Sequence, residues 1–522
     1  MAGMFCQTGP SGAAYKRFPP LISRSISRQL GILPDVVCKR RTPTISECRS
    51  PGDYLTVFPP TSLEKQTMSP VIQFSDHAQR SADQAIGFLM QQAVENADCI
   101  SLAAGLVDEQ SLPVTAARET VNELLGDVAA GRKILQYGTT SGPEPLRRVF
   151  RNYLAELEQR EDGLQDLPLS QLIMTTGSQQ LLSLVSQALF NPGDICLVAA
   201  PTYFVFMGVL QAAGARIVPV KSDNNGMCPD ALAKALQQIE AAGELPRVRL
   251  VYVVSYFENP SGISVSTERR PALLEIVQRF SKASRILLLE DAAYRELRFE
   301  GEAAPSIWSF DTTRETVILA QTFSKSFSPG IRVGFGVLPQ ELIKPVSDLK
   351  GNEDFGSAHL NQHIVARVLK NGVYAKHVEA VRDSYRQKRN AMLAAAEREF
   401  GGIPGVSWVH PSGGMYVWMK LPAQIETGFN SPLFQRATQV DKVMYVPGEL
   451  SYPADWSERP RCEMRLSFGV QSVDGIHEGI RRLASAVRFI LESQSQSQSS
   501  HQSQSSHQSQ SSHQQASKVA NG

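Results

Sequence analysis

A lysine flanked by hydroxyl side chains is the residue of this sequence best suited to covalent chemistry. Lys325 lies between Ser324 and Ser326, shortly after the apolar run 317–320. A lysine just past a strand can project into the crevice at the carboxyl edge of an α/β sheet, where ligands of such sheets bind. If its amine is neutral part of the time, it can form an imine with an aldehyde cofactor. The simpler alternative is a surface lysine in an ordinary loop.

Two segments of the sequence could hold a phosphate. The hydroxyls of Thr322 and Ser324, together with the cation of Arg332, suit a phosphate dianion. Ser178 and Gln179 follow a glycine at the point where a strand pattern gives way to a helical one. The free N–H groups and the dipole of a helix N-terminus attract anions there. A capped helix start without a ligand explains the second segment equally well.

A carboxylate ends the buried apolar run 287–289. Such a group is costly to bury unless it is paired, and a protonated pyridine nitrogen would be a suitable partner. Asp291 would then keep that ring charged, as an electron sink for carbanion chemistry. Glu290 is the rival acid, and we favour Asp291 because Tyr294 follows three residues later and could share its site. An aspartate after a strand is also a common helix cap.

Three further side chains could complete such a site. Asn259 lies in an Asn-Pro-Ser-Gly turn after the strand pattern 249–254. Its amide, like the Tyr294 hydroxyl, could donate to a phenolate oxygen of the ring. Tyr203 could stack on the ring or be a core tyrosine. Arg465 interrupts an apolar strand, so it could grip the α-carboxylate of an amino acid or form an internal salt bridge.

The elements that would position these residues alternate between strand and helix. This alternation predicts an α/β fold with a mainly parallel, seven-stranded sheet covered by helices on both faces. Beyond residue 350, helical patterns at 357–369 and 373–400 precede short strands, which indicates a smaller α+β domain. A helix at 472–491 then follows. The seven apolar runs are Leu172–Met174, Ile195–Ala199, Arg216–Val220, Arg249–Val254, Ile286–Leu289, Val317–Ala320 and Val333–Val337.

The sequence therefore predicts five segments, with a cofactor-binding large domain in the centre. They are an N-terminal extension at 1–69, an arm and part of the small domain at 70–130, the large domain at 131–350, the rest of the small domain at 351–492, and a disordered Ser/Gln/His tail at 493–522. The tail has almost no apolar side chains to offset its ordering entropy. Its histidines could at most bind a metal weakly, and no metal site is predicted.

The N-terminal extension resembles an organelle transit peptide in its composition. It is rich in Pro, Arg and Ser and has no acidic residue before Asp35. A disordered extension, or a true start at Met68, is the interpretation we favour, because no amphipathic helix accompanies the charges. A cytoplasmic protein is therefore expected, with organelle import as the alternative.

Composition excludes several classes of protein. The formal net charge of +1 gives no reason to expect nucleic acid or an anionic membrane as a partner. No stretch reaches the ~18 apolar residues that a membrane-spanning helix needs. The seven cysteines include no CxxC pair, which argues against a zinc site or a disulfide framework and favours a reducing compartment.

Taken in order, these segments resemble the class I/II aminotransferases among the fold-type I pyridoxal-5′-phosphate (PLP) enzymes. The resemblance is greatest to the branch with 2-aminoadipate and kynurenine aminotransferases, and it covers about residues 71–493. Its most specific motif is Ser-Lys-x-x-x-Pro-Gly-x-Arg-x-Gly, which begins at Ser324. The resemblance implies the PLP-dependent transferase fold, with a large sheet domain and a smaller α+β domain.

The resemblance also implies a role for each candidate residue. Lys325 would form the Schiff base with PLP and carry the proton, and Asp291 would pair with the pyridine nitrogen. Asn259 and Tyr294 would bind the phenolate oxygen, and Tyr203 would stack on the ring. Arg465 would bind the substrate carboxylate. The phosphate would be held by Ser178, Gln179, Thr322, Ser324 and Arg332.

Two more residues enter only through the resemblance. Gly105 is the last residue of a Ser-Leu-Ala-x-Gly pattern whose glycine contacts substrate in the family. Tyr137 matches a tyrosine that reaches the phosphate of the neighbouring subunit, which implies a homodimer with shared sites.

The implied reaction moves an amino group from an L-amino acid to a 2-oxo acid in a ping-pong cycle. Another PLP reaction on this scaffold, such as a β-lyase or decarboxylase activity, stays open. So does a catalytically inactive scaffold protein, although the joint presence of Lys325, Asp291 and Arg332 argues against it. Related regulators carry a winged helix-turn-helix in front, which the lead at 1–69 cannot supply. The preferred amino donor stays open.

Overall fold

The protein is described here by a computed structural model that covers residues 72–82, 85–282 and 284–519. The extension predicted at 1–69 lies outside these residues. The described residues belong to one compact unit. Among their helices, none combines the length and the apolar character needed to cross a bilayer.

Helices and strands alternate along most of the chain. The strands are β1 Ile100–Ser101, β2 Leu172–Thr175, β3 Ile195–Ala200, β4 Arg216–Asp223, β5 Gly226–Met227, β6 Val248–Val254, β7 Leu287–Asp291, β8 Val317–Thr322, β9 Gly334–Val337, β10 Ser407–Trp408, β11 Tyr416–Lys420, β12 Val443–Met444, β13 Val446–Pro447 and β14 Glu463–Ser467. The helices are α1 Asp76–Arg80, α2 Ala85–Glu95, α3 Val114–Gly126, α4 Val128–Ile134, α5 Glu144–Leu157, α6 Ser178–Leu189, α7 Phe204–Ala212, α8 Pro229–Ala241, α9 Arg269–Phe280, α10 Ile307–Phe310, α11 Gln340–Asp354, α12 His359–Lys370, α13 Val373–Phe400, α14 Pro432–Gln439 and α15 Val473–Val519.

The large sheet has the strand order β2-β9-β8-β7-β6-β3-β4-β5. Strands β4, β3, β6, β7 and β8 are successive parallel neighbours, whereas β9 runs antiparallel to both β8 and β2. The seven predicted strands are therefore confirmed. The eighth, β5, is a two-residue strand antiparallel to the end of β4, too short to leave a periodic signal in the sequence.

Burial explains why continuous apolar runs became the central strands. Every residue of β3, β7 and β8 is buried. Because successive side chains of a strand point to opposite faces, both faces of the sheet must be covered. Among the covering helices, α6 packs against β8 and β9, and α9 packs against β7. The α/β fold class is confirmed.

A smaller antiparallel sheet follows in the chain, with the order β10-β11-β14-β13. Short strands were predicted at 406–408, 415–419 and 464–468, and β10, β11 and β14 match them to within one residue at each end. In this sheet Arg465 of β14 lies opposite Trp418 of β11 and Val446 of β13. The pairing fixes Arg465 from both sides. A separate two-stranded sheet joins β1 to β12.

The last helix differs from its predicted extent. Residues 472–491 were predicted as a helix, and residues 493–522 as disordered, but α15 runs from Val473 to Val519. The buried face of the predicted part includes Ile476, Ile480, Leu483 and Val487. Adding residues to an existing helix avoids the cost of nucleation, and Gln is a good helix former. Propagation from this anchored segment accounts for the difference.

Candidate active site

The predicted cofactor residues meet in one cavity of about 700 Å³. Every residue predicted to contact the cofactor lines this cavity, with the exception of Tyr137. The lining also contains four residues without a predicted role. The lining residues are Ser178, Gln179, Tyr203, Val205, Val254, Asn259, Asp291, Ala293, Tyr294, Thr322, Ser324, Lys325, Pro329 and Arg332.

The topology of the sheet explains this convergence. Asp291 ends β7 and Thr322 ends β8, while Asn259 follows the end of β6 and Tyr203 follows the end of β3. These strands are parallel, so their carboxyl ends share one edge of the sheet. Ligands of open α/β sheets bind at that edge. Residues far apart in the chain therefore surround one cavity.

Lys325 contacts the backbone of the loop that contains Gly105. Its Nζ donates a hydrogen bond to the carbonyl oxygen of Gly105 at 2.8 Å. A Cβ at position 105 would lie 2.9 Å from the hydroxyl oxygen of Tyr416 and 3.9 Å from Nη2 of Arg465. Glycine is thus the residue that leaves room between the lysine and these two side chains.

Asp291 is a buried carboxylate at the floor of the cavity. Tyr252 donates to its Oδ2 at 3.0 Å, and the backbone N–H of Ala293 donates to its Oδ1 at 3.1 Å. Burial raises the pKa of Asp291 to about 6, although these two hydrogen bonds oppose the shift. No described residue forms a salt bridge with it. A cationic partner from a bound molecule would stabilise its ionised form.

The rival acid, Glu290, lies on the opposite face of β7, as the alternation of a strand requires. It accepts hydrogen bonds from Ser255 Oγ at 2.6 Å and from the backbone N–H of Trp308 at 2.9 Å. The guanidinium of Arg270 lies 3.5 Å away. Glu290 is thus a buried structural acid, outside the cavity lining.

Hydroxyl and amide donors gather at the other end of the cavity. The hydroxyls of Thr322 and Ser324 are 3.0 Å apart, and Ser178 begins helix α6. Gly177 before it has φ +72°, and a Cβ there would lie 3.0 Å from Nη2 of Arg332. Glycine therefore allows the guanidinium to approach the helix N-terminus, where it donates to the carbonyl oxygen of residue 176 at 3.1 Å. This arrangement suits a dianion.

Arg465 and Asn259 are joined by a buried hydrogen bond. Nη1 of Arg465 donates to the amide oxygen of Asn259 at 2.9 Å, and its Nη2 donates to the carbonyl oxygen of Ala103 at 2.6 Å. Its Nε has no acceptor among the described residues. No described carboxylate pairs with this arginine, so the internal salt bridge considered from sequence is not formed. A buried, uncompensated guanidinium favours an anionic ligand.

Sequence comparison supplies the family. The family model described as "Aminotransferase class I and II" matches residues 97–458, well over half of the chain. The chain belongs to this family. It is a PLP-dependent aminotransferase with the PLP-dependent transferase fold.

Individual relatives agree with this assignment. Aromatic-amino-acid aminotransferase 1 of Thermococcus litoralis is 35% identical over 430 residues, which cover 82% of this chain and 96% of the relative. The 2-aminoadipate transaminase of Thermus thermophilus is 33% identical over 400 residues, which cover 75% of this chain and 91% of the relative. The crystal structure of Pyrococcus horikoshii kynurenine aminotransferase with PMP has a TM-score of 0.72 at 33% identity, covering 80% of this chain and 97% of that one. The branch identified from sequence is therefore confirmed, and transamination is favoured over a β-lyase activity.

The described residues of this aminotransferase fit PLP chemically. Lys325 offers an amine to an aldehyde, and Asp291 offers a buried carboxylate without a salt-bridge partner to a ring nitrogen. The hydroxyls near Ser324 and the guanidinium of Arg332 offer donors to a phosphate. The free Nε of Arg465 offers one more donor to a substrate carboxylate.

Tyr137 is the one predicted cofactor residue that the structure does not bring to the cavity. Its side chain is 77% exposed in the single chain. Its ring contacts that of Phe355, also exposed, with centroids 5.4 Å apart. An exposed aromatic pair at this position leaves the predicted contact with a neighbouring subunit untested.

Two residues of the aminotransferase site, and one buried acid next to it in the chain, were missed by the sequence reasoning. Tyr252 supports Asp291, and the hydroxyl of Tyr416 lies 3.2 Å from that of Tyr294. Glu258, beside Asn259, is fully buried, and Ser261 donates to its Oε2 at 2.9 Å. The Asn-Pro turn drew attention to position 259. The only sequence signal for Glu258 was its place directly before this turn.

The two paired tyrosines differ in electrostatics. Burial pushes the pKa of Tyr416 upward, but the cations of Arg465 and Lys325 outweigh it, and the pKa lies below its ordinary value. Burial, followed by the neighbouring Tyr416, holds the pKa of Tyr294 well above its ordinary value. Tyr416 is thus the more acidic phenol of the pair, and Tyr294 keeps its proton and can donate it in a hydrogen bond.

Proposed function

We propose that Lys325, Asp291 and Tyr294 are the catalytic residues of this aminotransferase. When bound, PLP supplies an electron-accepting ring that stabilises negative charge at the substrate α-carbon. Lys325 holds the cofactor aldehyde through Nζ and later carries the α-proton on that same atom. Asp291 keeps the ring nitrogen protonated, because its carboxylate is buried and lacks another cation.

The remaining lining residues orient the reactants. Asn259 and Tyr294 donate to the phenolate oxygen, and Tyr203 stacks against the ring. The phosphate is held by Ser178, Gln179, Thr322, Ser324 and Arg332. Arg465, kept in place by Asn259 and by the carbonyl of residue 103, binds the substrate α-carboxylate beside Gly105. Binding in a fixed geometry lowers the entropic cost of the reaction.

One observation carries this assignment more than any other. Lys325 and Asp291, which are 34 positions apart in the sequence, line the same cavity. Asp291 is the last residue of β7, and Lys325 follows the neighbouring parallel strand β8. An amine and an unpaired buried carboxylate on one cavity match the two ends of a pyridine aldehyde.

We infer an aromatic amino acid as the preferred donor. The cations lining the cavity are Lys325 and Arg332, and both are used by the cofactor in this scheme. Arg465 binds the α-carboxylate, so the described lining has no further arginine or lysine that could bind a second carboxylate. The relative from Thermococcus litoralis is named for aromatic amino acids. Tyrosine, phenylalanine and kynurenine should therefore exceed aspartate and 2-aminoadipate in kcat/KM.

We further propose a homodimer in which Tyr137 reaches the phosphate in the partner's site. Its exposed ring, next to the exposed Phe355, supports this assembly. A mixed dimer would test it: one chain carries Lys325→Ala and the other Tyr137→Ala. Sharing predicts activity above that of either parent variant, since one site then has both native residues. Activity no higher than the parents would contradict shared sites.

The compartment and the domain division also remain proposals. We propose a cytoplasmic protein, supported by cysteines without a CxxC pair. We retain a large domain at 131–350 and a small domain built from 70–130 and 351–492. Their support is the change from a mainly parallel to an antiparallel sheet.

Product analysis tests the function directly. The purified protein, supplied with PLP, an aromatic donor and 2-oxoglutarate, should yield the donor's 2-oxo acid and glutamate in equal amounts. Lys325→Ala should abolish this conversion, whereas Lys344→Ala, on an exposed lysine paired with Asp348, should retain it. Release of ammonia without glutamate would overturn transamination.

A further inference from the structure

A second cavity, of about 660 Å³, lies behind the loop that presents Asn259. We call it the arginine cavity. Its walls come from the loop at 256–264, from the segment 298–304 and from the segment 408–412. None of the residues that line the cofactor cavity lines this one. It is therefore separate from the catalytic cavity but shares a loop with it.

The charges of the arginine cavity favour an anion. Four arginines and two glutamates line it. Arg270 and Arg295 are neutralised by the buried Glu290 and Glu158 behind them, and the lining Glu300 is paired with an arginine outside the cavity.

Two guanidiniums of the lining form no salt bridge with a described carboxylate, although the charge of Arg382 opposes the rise that burial causes in the pKa of Glu296. Arg298 donates to the carbonyl oxygen of Gly301, and Nε of Arg382 donates to the carbonyl oxygen of Glu296 at 2.5 Å. Their other N–H groups can bind a ligand. Glu302, an exposed residue of the lining, is the carboxylate that would repel an anion there.

The other lining groups favour a flat apolar ligand. Tyr256, Phe257 and Trp408 contribute aromatic rings to the walls. Tyr256 is fixed by its hydroxyl, which donates to the carbonyl oxygen of Ala304 at 3.1 Å, and by the guanidinium of Arg270, 4.2 Å from its ring centroid. The indole N–H of Trp408 is buried and finds no acceptor among the described residues. A buried donor without a partner is costly, and a carboxylate oxygen would satisfy it.

We propose that the arginine cavity is a second ligand site, for a small carboxylate that carries a flat aromatic group. The carboxylate pairs with Arg298 and Arg382, and the aromatic group lies among the rings of Tyr256, Phe257 and Trp408. This ligand class combines the charge and the apolar surface that the cavity offers.

The shared loop links the two cavities. Phe257 lies in the arginine cavity, two residues before Asn259, which holds Arg465. Packing at Phe257 is close: a Cβ on Gly413 would lie 2.6 Å from its ring, and a Cβ on Gly414 would lie 2.8 Å from its Cβ. A ligand against Phe257 therefore acts on the same loop as the substrate, and binding at the two sites should be coupled.

Calorimetry on the blocked holoenzyme tests the site. Aminooxyacetate condenses with the PLP aldehyde and places a carboxylate at the catalytic site, and the absorbance change of the cofactor verifies the block. This step rests on the proposed function, and its failure shows in the absorbance before any titration. Titration with benzoate should then show one site per chain, and neutral benzyl alcohol should bind at least about tenfold more weakly.

Variants on two different walls decide whether this binding is at the arginine cavity. Arg298→Gln and Trp408→Phe should each weaken benzoate binding by about tenfold or more, because the first removes the positive charge opposite the carboxylate and the second removes the indole N–H donor. Arg148→Gln, on an exposed arginine paired with Glu144, should leave it unchanged. Unaltered melting temperatures show that the variants are folded. Absence of benzoate binding to the blocked enzyme, or binding equal in all variants, would overturn the proposal.

Steady-state kinetics tests the coupling. Benzoate should change KM for the amino donor in the native enzyme, and part of this change should disappear in Arg298→Gln. The part of the KM change that persists in Arg298→Gln would come from benzoate competing with the substrate α-carboxylate at Arg465. An identical effect of benzoate on KM in both enzymes would overturn the link between the cavities.

Discussion

Arg465 and Asn259, separated by 206 positions, are joined by a hydrogen bond of 2.9 Å inside the protein. This bond connects the small antiparallel sheet to the loop after β6, at the edge of the large sheet. It aims the guanidinium at the space beside Gly105 and leaves Nε without an acceptor among the described residues. The bond therefore fixes the arginine proposed to bind substrate relative to the asparagine proposed to bind the cofactor.

Removal of the guanidinium should weaken substrate binding for every amino acid. Arg465→Ala removes a charge-assisted contact with the α-carboxylate, a loss of roughly 1.5–3 kcal/mol, or about 10- to 100-fold. KM should rise by this factor for aromatic and aliphatic donors alike. Arg436→Ala, which removes an arginine that pairs with Asp441 and does not line the cavity, is the control. An increase confined to one class of donor would contradict the assignment to the α-carboxylate.

Loss of the buried carboxylate should act on the chemical step. Asp291→Ala should lower kcat by roughly 10³-fold, because the ring nitrogen is then no longer held protonated and the ring accepts electrons poorly. Single-turnover absorbance measurements separate this step from binding. Glu275→Ala, a substitution on the exposed face of α9, should leave kcat unchanged. A variant at 291 with normal kcat would refute the role of this residue.

The contact between Gly105 and Tyr416 predicts a rescue. A Cβ at position 105 would lie 2.9 Å from the Tyr416 hydroxyl, so Gly105→Ala should lower kcat/KM by about tenfold or more. Adding Tyr416→Phe removes the crowding oxygen and should restore part of this loss. The comparison is a double-mutant cycle of kcat/KM values. Strictly additive effects of the two substitutions would show that the crowding is not the cause.

Glu258 should make stability depend on pH. Burial raises its pKa from 4.5 to about 8, although the hydroxyls of Ser261 and Thr202 oppose the shift. Between these two pH values Glu258 is ionised in the unfolded chain but protonated in the folded protein. The free energy of unfolding therefore falls as the pH rises through this window. Relative to Glu258→Gln, the native protein should lose on the order of 1 kcal/mol per pH unit there.

Denaturant unfolding of both proteins at pH 5, 6, 7 and 8 measures this difference. Glu463→Gln, at another buried acid whose pKa burial also raises, indicates how much of the effect is general to buried carboxyls. A free-energy difference that stays constant from pH 5 to 8 would show that Glu258 is ionised in the folded protein throughout.

Much of the fold could be predicted because buried parallel strands are continuous apolar runs. The runs that became β3, β7 and β8 are of this kind. The two-residue strands β5, β12 and β13 could not be predicted, since two residues show no periodicity. The continuation of α15 beyond Leu491 was also missed, because the Ser/Gln/His repeat has no apolar stripe that marks a helix.

The site was predictable where a functional side chain follows a strand, as at Asp291, Asn259 and Lys325. Strand ends are visible in the sequence, and their shared edge brings such residues together. Tyr416 was not predictable as a site residue, because its contact with Tyr294 spans 122 positions. Tyr252 sits inside a buried strand, where a tyrosine is ordinary core. Only the packed fold shows that its hydroxyl meets Asp291.

The central claim is that one lysine holds the cofactor, and chemical trapping tests it most directly. Borohydride reduces the bond between a lysine and PLP to a stable secondary amine, and peptide mass spectrometry then locates the phosphopyridoxyl group. We predict one such group per chain, on Lys325, and its absence from that position when a substrate amine is present in excess. A group attached to any other lysine of the freshly purified holoenzyme, or an unmodified Lys325 in a fully loaded protein, would contradict the account.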